Sequence, residues 1–249
     1  MKYELLRNCS HGSKIYTLFV EESKKKYYLK SSSFEEGLKN ISQEYEGWKW
    51  YSENNKDLKE NPTNYEILKE NYVRLKILAL EGKKISFKDG IKKNYVYFIN
   101  VIKHYKEIWR LNKNKQFAIH GDLSLENILF RNNEVIFIDW EHYTNSCAYW
   151  GFDIYYLLYE TLWFNWRSIR NPRNHEILYI SKLIKILHSN SPKSGNNNYT
   201  LSHLIGFIEK NKYLWSSQLL NNINKLPLLN FNNADVDYID KLINNFLEN

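Results

Sequence analysis

Apolar and polar positions change their rhythm along this chain. Ile15 to Val20 and Lys26 to Lys30 read as short strands on either side of the charged segment Glu21 to Lys25. Such runs around a charged turn predict a β-hairpin. Ser31 to Ser33 then offer a helix cap, and Leu38, Ile41, Tyr45, Trp48 and Tyr51 recur at three- and four-residue spacing through Phe34 to Glu53. That periodicity predicts an amphipathic helix. The polar stretch Asn54 to Asn64, with Pro62, reads as a connector. Tyr72 to Leu80 reads as one long strand or a strand pair, stopped at Glu81-Gly82, and Gly82 is the expected hinge.

Beyond the hinge the period is mostly helical. Gly90 to Arg110 places Tyr97, Val101, Tyr105 and Ile108 on one face. Further helices are predicted at Asp153 to Trp166, His175 to His188, Leu201 to Lys212 and Ala234 to Leu247, with a loop at Asn196 to Asn198. One stretch breaks the pattern. Phe117 to Phe130 runs from an apolar strand through a polar loop into a second strand, and Val135 to Glu141 returns after the turn Arg131-Asn132-Asn133.

Composition narrows the field without deciding it. A content of 43% hydrophobic residues, with 8 Trp, 20 Tyr and 12 Phe in 249 residues, is ample for a packed core. No apolar run approaches the length of a membrane span, and the start Met1-Lys2-Tyr3-Glu4 has no apolar signal segment. Cys9 and Cys147 lie far apart without metal or redox spacing, so reduced thiols in a cytoplasmic protein are expected. The formal net charge of +7 raises a nucleic-acid partner. Lysines are scattered, however, and their one tight run, Lys24 to Lys26, falls at the predicted hairpin tip. Neither nucleic acid nor a specific protein partner is expected.

The chemistry resides in the irregular stretch. Asp122 and Asn127 are five residues apart and Asp139 follows twelve later, so a loop, a hairpin and its return strand bring three oxygen-bearing groups to one end of a small sheet. Phosphoryl transfer needs a carboxylate beside the acceptor hydroxyl, and an amide oxygen with a second carboxylate to hold Mg²⁺ against phosphates. Asp122 is the candidate catalytic base or orienting group, and Asn127 and Asp139 are the candidate metal ligands. Trp150, Trp163 and Trp166 fall at spacings that more often serve a core than a ligand cage.

HGDLSLEN (His120 to Asn127) and IDWE (Ile138 to Glu141), with Gly151 and Asp153 beyond, resemble the aminoglycoside phosphotransferase and choline kinase family. The resemblance implies an α+β, two-lobed protein-kinase-like fold: a small N-terminal sheet plus helix, then a mainly helical C-terminal lobe. It places a nucleotide-binding lobe at 1–82 and a catalytic, substrate-binding lobe at 83–249. It also implies ATP and Mg²⁺ as cofactors and a small-molecule hydroxyl acceptor. Lys30, ending the expected strand Lys26 to Lys30, is similar to the family's phosphate-pairing lysine, and Glu44 to its helix carboxylate, Glu46 being the weaker choice. The nucleotide-covering loop would be Asn8 to Lys14, with Ser13 and its neighbour Ser10 as phosphate donors around the single Gly12. Main-chain groups of Leu78 and Leu80 would meet adenine. His120 and Asp153 would brace the loop, and Glu141 would be a metal neighbour or substrate contact.

The sequence also departs from the family pattern. Ser124-Leu125-Glu126 stands where members often carry a His-Pro-Gly or similar run, and Ser124 stands where protein kinases have a lysine. Thirteen residues between Asp139 and Asp153 are too few for an ordinary activation segment, which argues against a protein kinase. Arg167, Arg170 and Arg173, near the expected acceptor side, favour a sugar or glycan precursor over a polycation. A choline, ethanolamine or aminoglycoside kinase is the alternative, and a nucleotide-binding pseudokinase the alternative of another class.

Overall fold

The computed structural model describes residues 2–7, 15–58, 62–69, 72–109, 117–132, 134–147, 149–168, 174–189, 200–211 and 227–248. The predicted hairpin forms from β2 (Tyr16–Glu22) and β3 (Lys25–Ser32). Ser23 and Lys24 turn the chain with φ of 51° and 66°. Positive φ at both central residues matches the twist of the flanking strands. The hairpin sits inside a five-stranded antiparallel sheet of order β1-β2-β3-β5-β4, with β1 at Lys2–Arg7, β4 at Thr63–Lys69 and β5 at Tyr72–Leu78. β4 begins inside the stretch read as a connector. Ser31 and Ser32 extend β3 instead of capping the next helix, although Ser32 Oγ accepts from Phe34 N at 3.1 Å.

α1 (Glu35–Asn54) packs its buried face on this sheet. Gly37, Asn40, Ile41, Glu44, Gly47, Trp48 and Tyr51 are its buried positions. Three- and four-residue steps keep them on one side of the helix. A carboxylate on that face is the exception to its chemistry.

The second half is mainly helical. The expected helix from Gly90 is broken at Asn94 into α2 (Gly90–Lys93) and α3 (Tyr95–Ile108). The Asn94 side chain donates to Ser86 O and Gly90 O, an alternative to the helical ladder that periodicity does not reveal. α4 (Phe152–Ser168) is buried on every side from Phe152 to Leu162, and it touches α2, α5 (Asn174–His188) and α6 (Leu201–Lys210). A helix buried on every side belongs in a core. The last described helix, Asn233–Glu248, covers α5 and α6. Among the described residues no helix is long and apolar enough to cross a membrane.

Two small sheets frame the polar loop. β6 (Phe117–Ile119) pairs with β9 (Thr144–Cys147), and β7 (Ile128–Arg131) pairs with β8 (Glu134–Phe137). The end of α1 meets them through aromatic rings. Tyr51 lies 5.0 Å from Trp140, and Trp50 lies 4.9 Å from Trp109 in an edge-on contact. Gly47 permits this approach, since a Cβ there would sit 2.6 Å from Trp140 Cβ and 2.9 Å from Tyr143 Cβ. Gly82 likewise passes against β7, where an added Cβ would lie 2.8 Å from Leu129 Cβ.

Candidate active site

Asp139 follows β8 in the left-handed region, φ 66°, which a residue with a Cβ rarely occupies. Such backbone persists where its surroundings over-determine it, often at functional sites. Ile138, just before it, is pinned on both sides. Its N–H donates to Asn127 O at 3.0 Å, and its carbonyl meets His120 Nε2 at 2.9 Å. Trp140, just after, is fully buried, so the Asp139 side chain (38% exposed) turns outward to the cleft.

The cleft's cation comes from the five-stranded sheet. Lys30 Nζ lies 2.6 Å from Asp139 Oδ1 and 2.7 Å from Glu44 Oε2. Three residues distant in sequence are thus joined, as the resemblance implied for Lys30 and Glu44. Glu46 is exposed on the other side of α1.

The polar loop is held from below. Asp153 accepts from His120 N and Gly121 N, each at 3.0 Å, with one carboxylate oxygen apiece. Gly121 has φ 85°, and a Cβ would fall 2.4 Å from His142 O, so only glycine fits. His120 is fully buried, and burial pushes its imidazole down to about 4, leaving it neutral. It braces the loop against Ile138 and presents no reactive group to the cleft. Asn127 Nδ2 donates to Asp122 O at 2.8 Å, tying the amide to the loop that carries Asp122.

Charge in this volume is out of balance. Burial alone would push the Lys30 ammonium down, but Asp139, Glu44 and Glu141 outweigh it and hold the ammonium above its ordinary range. Burial would likewise raise Asp139, yet the charge and hydrogen bond of Lys30 keep it at about 2. Asp122 is pushed up to about 8 by burial and then by the charges of Asp139 and Glu141. Glu44 is raised to about 8 by burial, against the pull of Lys30. Lys30 thus stands against Asp139 and Glu44 with Glu141 nearby, and a further cation would stabilise the charged forms of Asp122 and Glu44, which burial and mutual repulsion hold toward their protonated forms.

The donor set fits a hard divalent ion. Amide and carboxylate oxygens are the ligands such ions take. Among the described residues no three His, Cys, Asp or Glu side chains converge into a metal site by themselves. An ion held by one or two side chains completes its shell with phosphate and water oxygens, which is the habit of Mg²⁺ beside nucleotides.

On the far side of Asp122 stands α4. Tyr156 and Glu160, one turn apart, direct their polar ends toward Asp122. Glu160 Oε2 is buried and makes no hydrogen bond among the described residues, and the buried Tyr156 hydroxyl turns to the Asp122 carboxylate. Burial first, then the charges of Asp122 and Glu126, push Glu160 well above the usual carboxylate range. The sequence marks Glu160 as one of two acids on the predicted helix Asp153 to Trp166. It does not mark Tyr156, although that residue's three-residue step from Asp153 puts it on the same helical face.

Other expected residues fall differently. Ser13, with Ser10, Gly12 and the loop Asn8 to Lys14, lies outside the described residues, as do Arg170 and Arg173 and the side chains of Arg167 and Trp166. Leu78 N–H donates to Pro62 O at 2.8 Å, so its donor is committed inside the sheet. Leu80 is half-buried against the core. Trp150 packs edge-on against Tyr105 and His188, and Trp163 against Phe164, which accords with a core role for both.

No family model and no curated protein matches this chain. Among solved structures it is similar to amicoumacin kinase hAmiN in complex with AMP-PNP, Ca²⁺ and Ami, with 13% identity, 99% of this chain and 88% of that chain covered, and a TM-score of 0.53. The fold is a kinase fold. The streptomycin–ATP–APH(2″)-IIa ternary complex is also similar, at 14% identity over 89% of this chain and 91% of that chain, with a TM-score of 0.47. The α+β, protein-kinase-like architecture expected from HGDLSLEN and IDWE is borne out, with its antiparallel sheet and helix followed by a mainly helical part. In this fold Lys30, Glu44 and Asp139 meet in one ion-paired cluster, and Asn127 is hydrogen-bonded to Asp122 in the adjoining loop.

Proposed function

We propose that this protein transfers the γ-phosphoryl group of ATP to a hydroxyl of a small molecule. The observation that carries the proposal is the position of Lys30 Nζ, 2.7 Å from Glu44 and 2.6 Å from Asp139, with Asp122 and Asn127 bonded into the adjoining loop. In this reading residues 1–82 hold the nucleotide, and residues 83–249 carry the catalytic groups and the acceptor. Lys30 pairs with the α- and β-phosphates and is kept in place by Glu44. Asn127 and Asp139 are the residues that would hold Mg²⁺, whose chemistry is to neutralise charge on the β- and γ-phosphate oxygens. Asp122 aligns the acceptor hydroxyl and accepts its proton, a role of orientation more than strong base catalysis because the transition state is loose. Ser13 and the main chain of Leu80 are the proposed nucleotide contacts beyond this core, and a cytoplasmic location would supply the ATP.

The acceptor is the finer question. Three arginines favoured a neutral or anionic sugar, but their side chains lie outside the described residues. What does face Asp122 is acidic: Glu160, Glu126 and Glu141 act on it or on one another. A buried carboxylate beside a half-open cleft is best satisfied by an ammonium. This observation favours the alternative, an acceptor that carries an amine next to its hydroxyl, such as an amino alcohol or amino sugar. Tyr156 would hydrogen-bond the hydroxyl side.

The test is ATP turnover against a panel of neutral sugars, choline and ethanolamine, and aminoglycosides, with ADP and phosphorylated product both measured. Product from amine-bearing acceptors, lost in Glu160→Gln, supports the amine reading. Product from neutral sugars alone restores the sugar reading. Tight ATP binding with no product from any acceptor points to the pseudokinase.

A further inference from the structure

Tyr51 lies seven residues after Glu44 on the buried face of α1, and its hydroxyl reaches into the other half of the chain. It accepts from Phe137 N at 3.2 Å, donates to Val135 O at 3.3 Å, and lies 2.9 Å from His104 Nε2. Among the described residues β8 has β7 as its one strand neighbour. Val135 O and Phe137 N, two residues apart, point from the same free edge. Tyr51 therefore stands where another strand would.

One proton assignment satisfies these three contacts together. A phenol has one proton to give and two lone pairs to receive. With His104 carrying its proton on Nε2, Tyr51 Oη accepts from Phe137 and His104 and donates to Val135. Burial keeps His104 neutral, its pKa lowered to about 4. The Tyr51 ring is held by Trp140 at 5.0 Å, Phe137 at 5.8 Å and Trp48 at 6.0 Å. One strand edge is thus fixed by α1, while Ile138 is fixed from the opposite edge by Asn127 O. The next residue is Asp139.

We propose that Tyr51 is a positioning residue whose hydroxyl sets Glu44, on its own helix, in register with the strand that delivers Asp139. The inference rests on reading Asp139 as a metal ligand. Groups that orient a metal ligand typically govern metal affinity by ten- to a hundredfold.

The experiment is AMP-PNP binding by calorimetry to wild type and Tyr51→Phe, with Mg²⁺ and with chelator. The variant keeps the ring and loses three hydrogen bonds. The gain in affinity conferred by Mg²⁺ should fall on the order of tenfold, while metal-free binding stays as in wild type. Ser181→Ala removes another buried hydroxyl, whose Oγ donates to Ile177 O at 3.0 Å on α5, and should leave the Mg²⁺ gain intact. Should Tyr51→Phe not fold, His104→Phe removes one of the three bonds and should give a smaller loss in the same direction. A Mg²⁺ gain preserved in Tyr51→Phe, or lost equally in Ser181→Ala, overturns this inference alone. A wild type that binds no nucleotide overturns the site reading and this inference with it.

Discussion

Lys30 Nζ lies 2.6 Å from Asp139 Oδ1, although the two residues stand on a strand of the five-stranded sheet and after a strand of the β7–β8 hairpin. The contact ties the two sides of the cleft by charge. In the proposed reaction a phosphate and a metal ion share these two groups: the ammonium turns to the phosphates and the carboxylate to the ion.

Lys30→Ala should therefore weaken nucleotide use strongly, and Lys30→Arg should not restore it, because a fork of donors does not replace a compact charge. Glu44→Gln should give a smaller loss of the same kind through a misplaced Lys30. Steady-state KM for ATP in the three variants checks the order. Equal KM values in wild type and Lys30→Ala would remove Lys30 from the site.

Asp122 predicts a conflict between function and stability. Its carboxyl is raised from 3.8 in the unfolded chain to about 8 in the fold, first by burial and then by Asp139 and Glu141. Between about pH 4 and about pH 8 the native state thus holds a proton that the unfolded state has released. Stability contributed through this group falls as pH rises across that window and levels off above it. Glu160, raised by burial and by Asp122, acts with the same sign. Asp122→Asn should be inactive yet melt at higher temperature than wild type, with the difference growing from pH 4 to pH 8. Thermal unfolding at several pH values checks it, and a difference that shrinks with rising pH would contradict the charge assignment.

Two glycines in helices should respond oppositely to the same change. Gly47→Ala drives a methyl into Trp140 and Tyr143, an overpacking that costs about 1–3 kcal/mol. Gly206→Ala, on α6, meets nothing within 4 Å and should stabilise by up to about 1 kcal/mol through helix propensity. Chemical denaturation of both variants tests the pair. A neutral Gly47→Ala would mean that α1 stands farther from Trp140 than the contact distances require.

What could be read from the chain was local. His120 to Asp139 lies in one loop and one hairpin, so residue types and spacing sufficed to place Asp122, Asn127 and Asp139 together. Glu44 was marked by its resemblance to the family's helix carboxylate, and the structure places it on the buried face of α1 with Ile41, Trp48 and Tyr51. The kinase fold was implied by the family resemblance that HGDLSLEN and IDWE carry. The non-local parts were not legible. β4 was partly hidden by polar residues around Pro62, because an edge strand can be exposed on both sides: Glu66 and Ile67 both face solvent. The break at Asn94 is made by a side chain reaching back to Ser86. Tyr51 read as one more core aromatic, since only packing shows its hydroxyl against β8. Tyr156 was hidden in the same way, within an aromatic helix whose orientation the sequence did not fix.

The proposed activity is tested most directly by phosphoryl transfer from γ-labelled ATP to the best acceptor, measured beside Mg²⁺-dependent nucleotide binding in wild type, Asp122→Ala and Asp139→Ala. Wild type should transfer label. Asp122→Ala should lose on the order of 10²–10⁴-fold in turnover while binding Mg²⁺ and nucleotide as wild type does. Asp139→Ala should lose both turnover and the Mg²⁺-dependent part of binding. Near-normal transfer by Asp122→Ala would contradict the assignment of this cleft as the site of phosphoryl transfer.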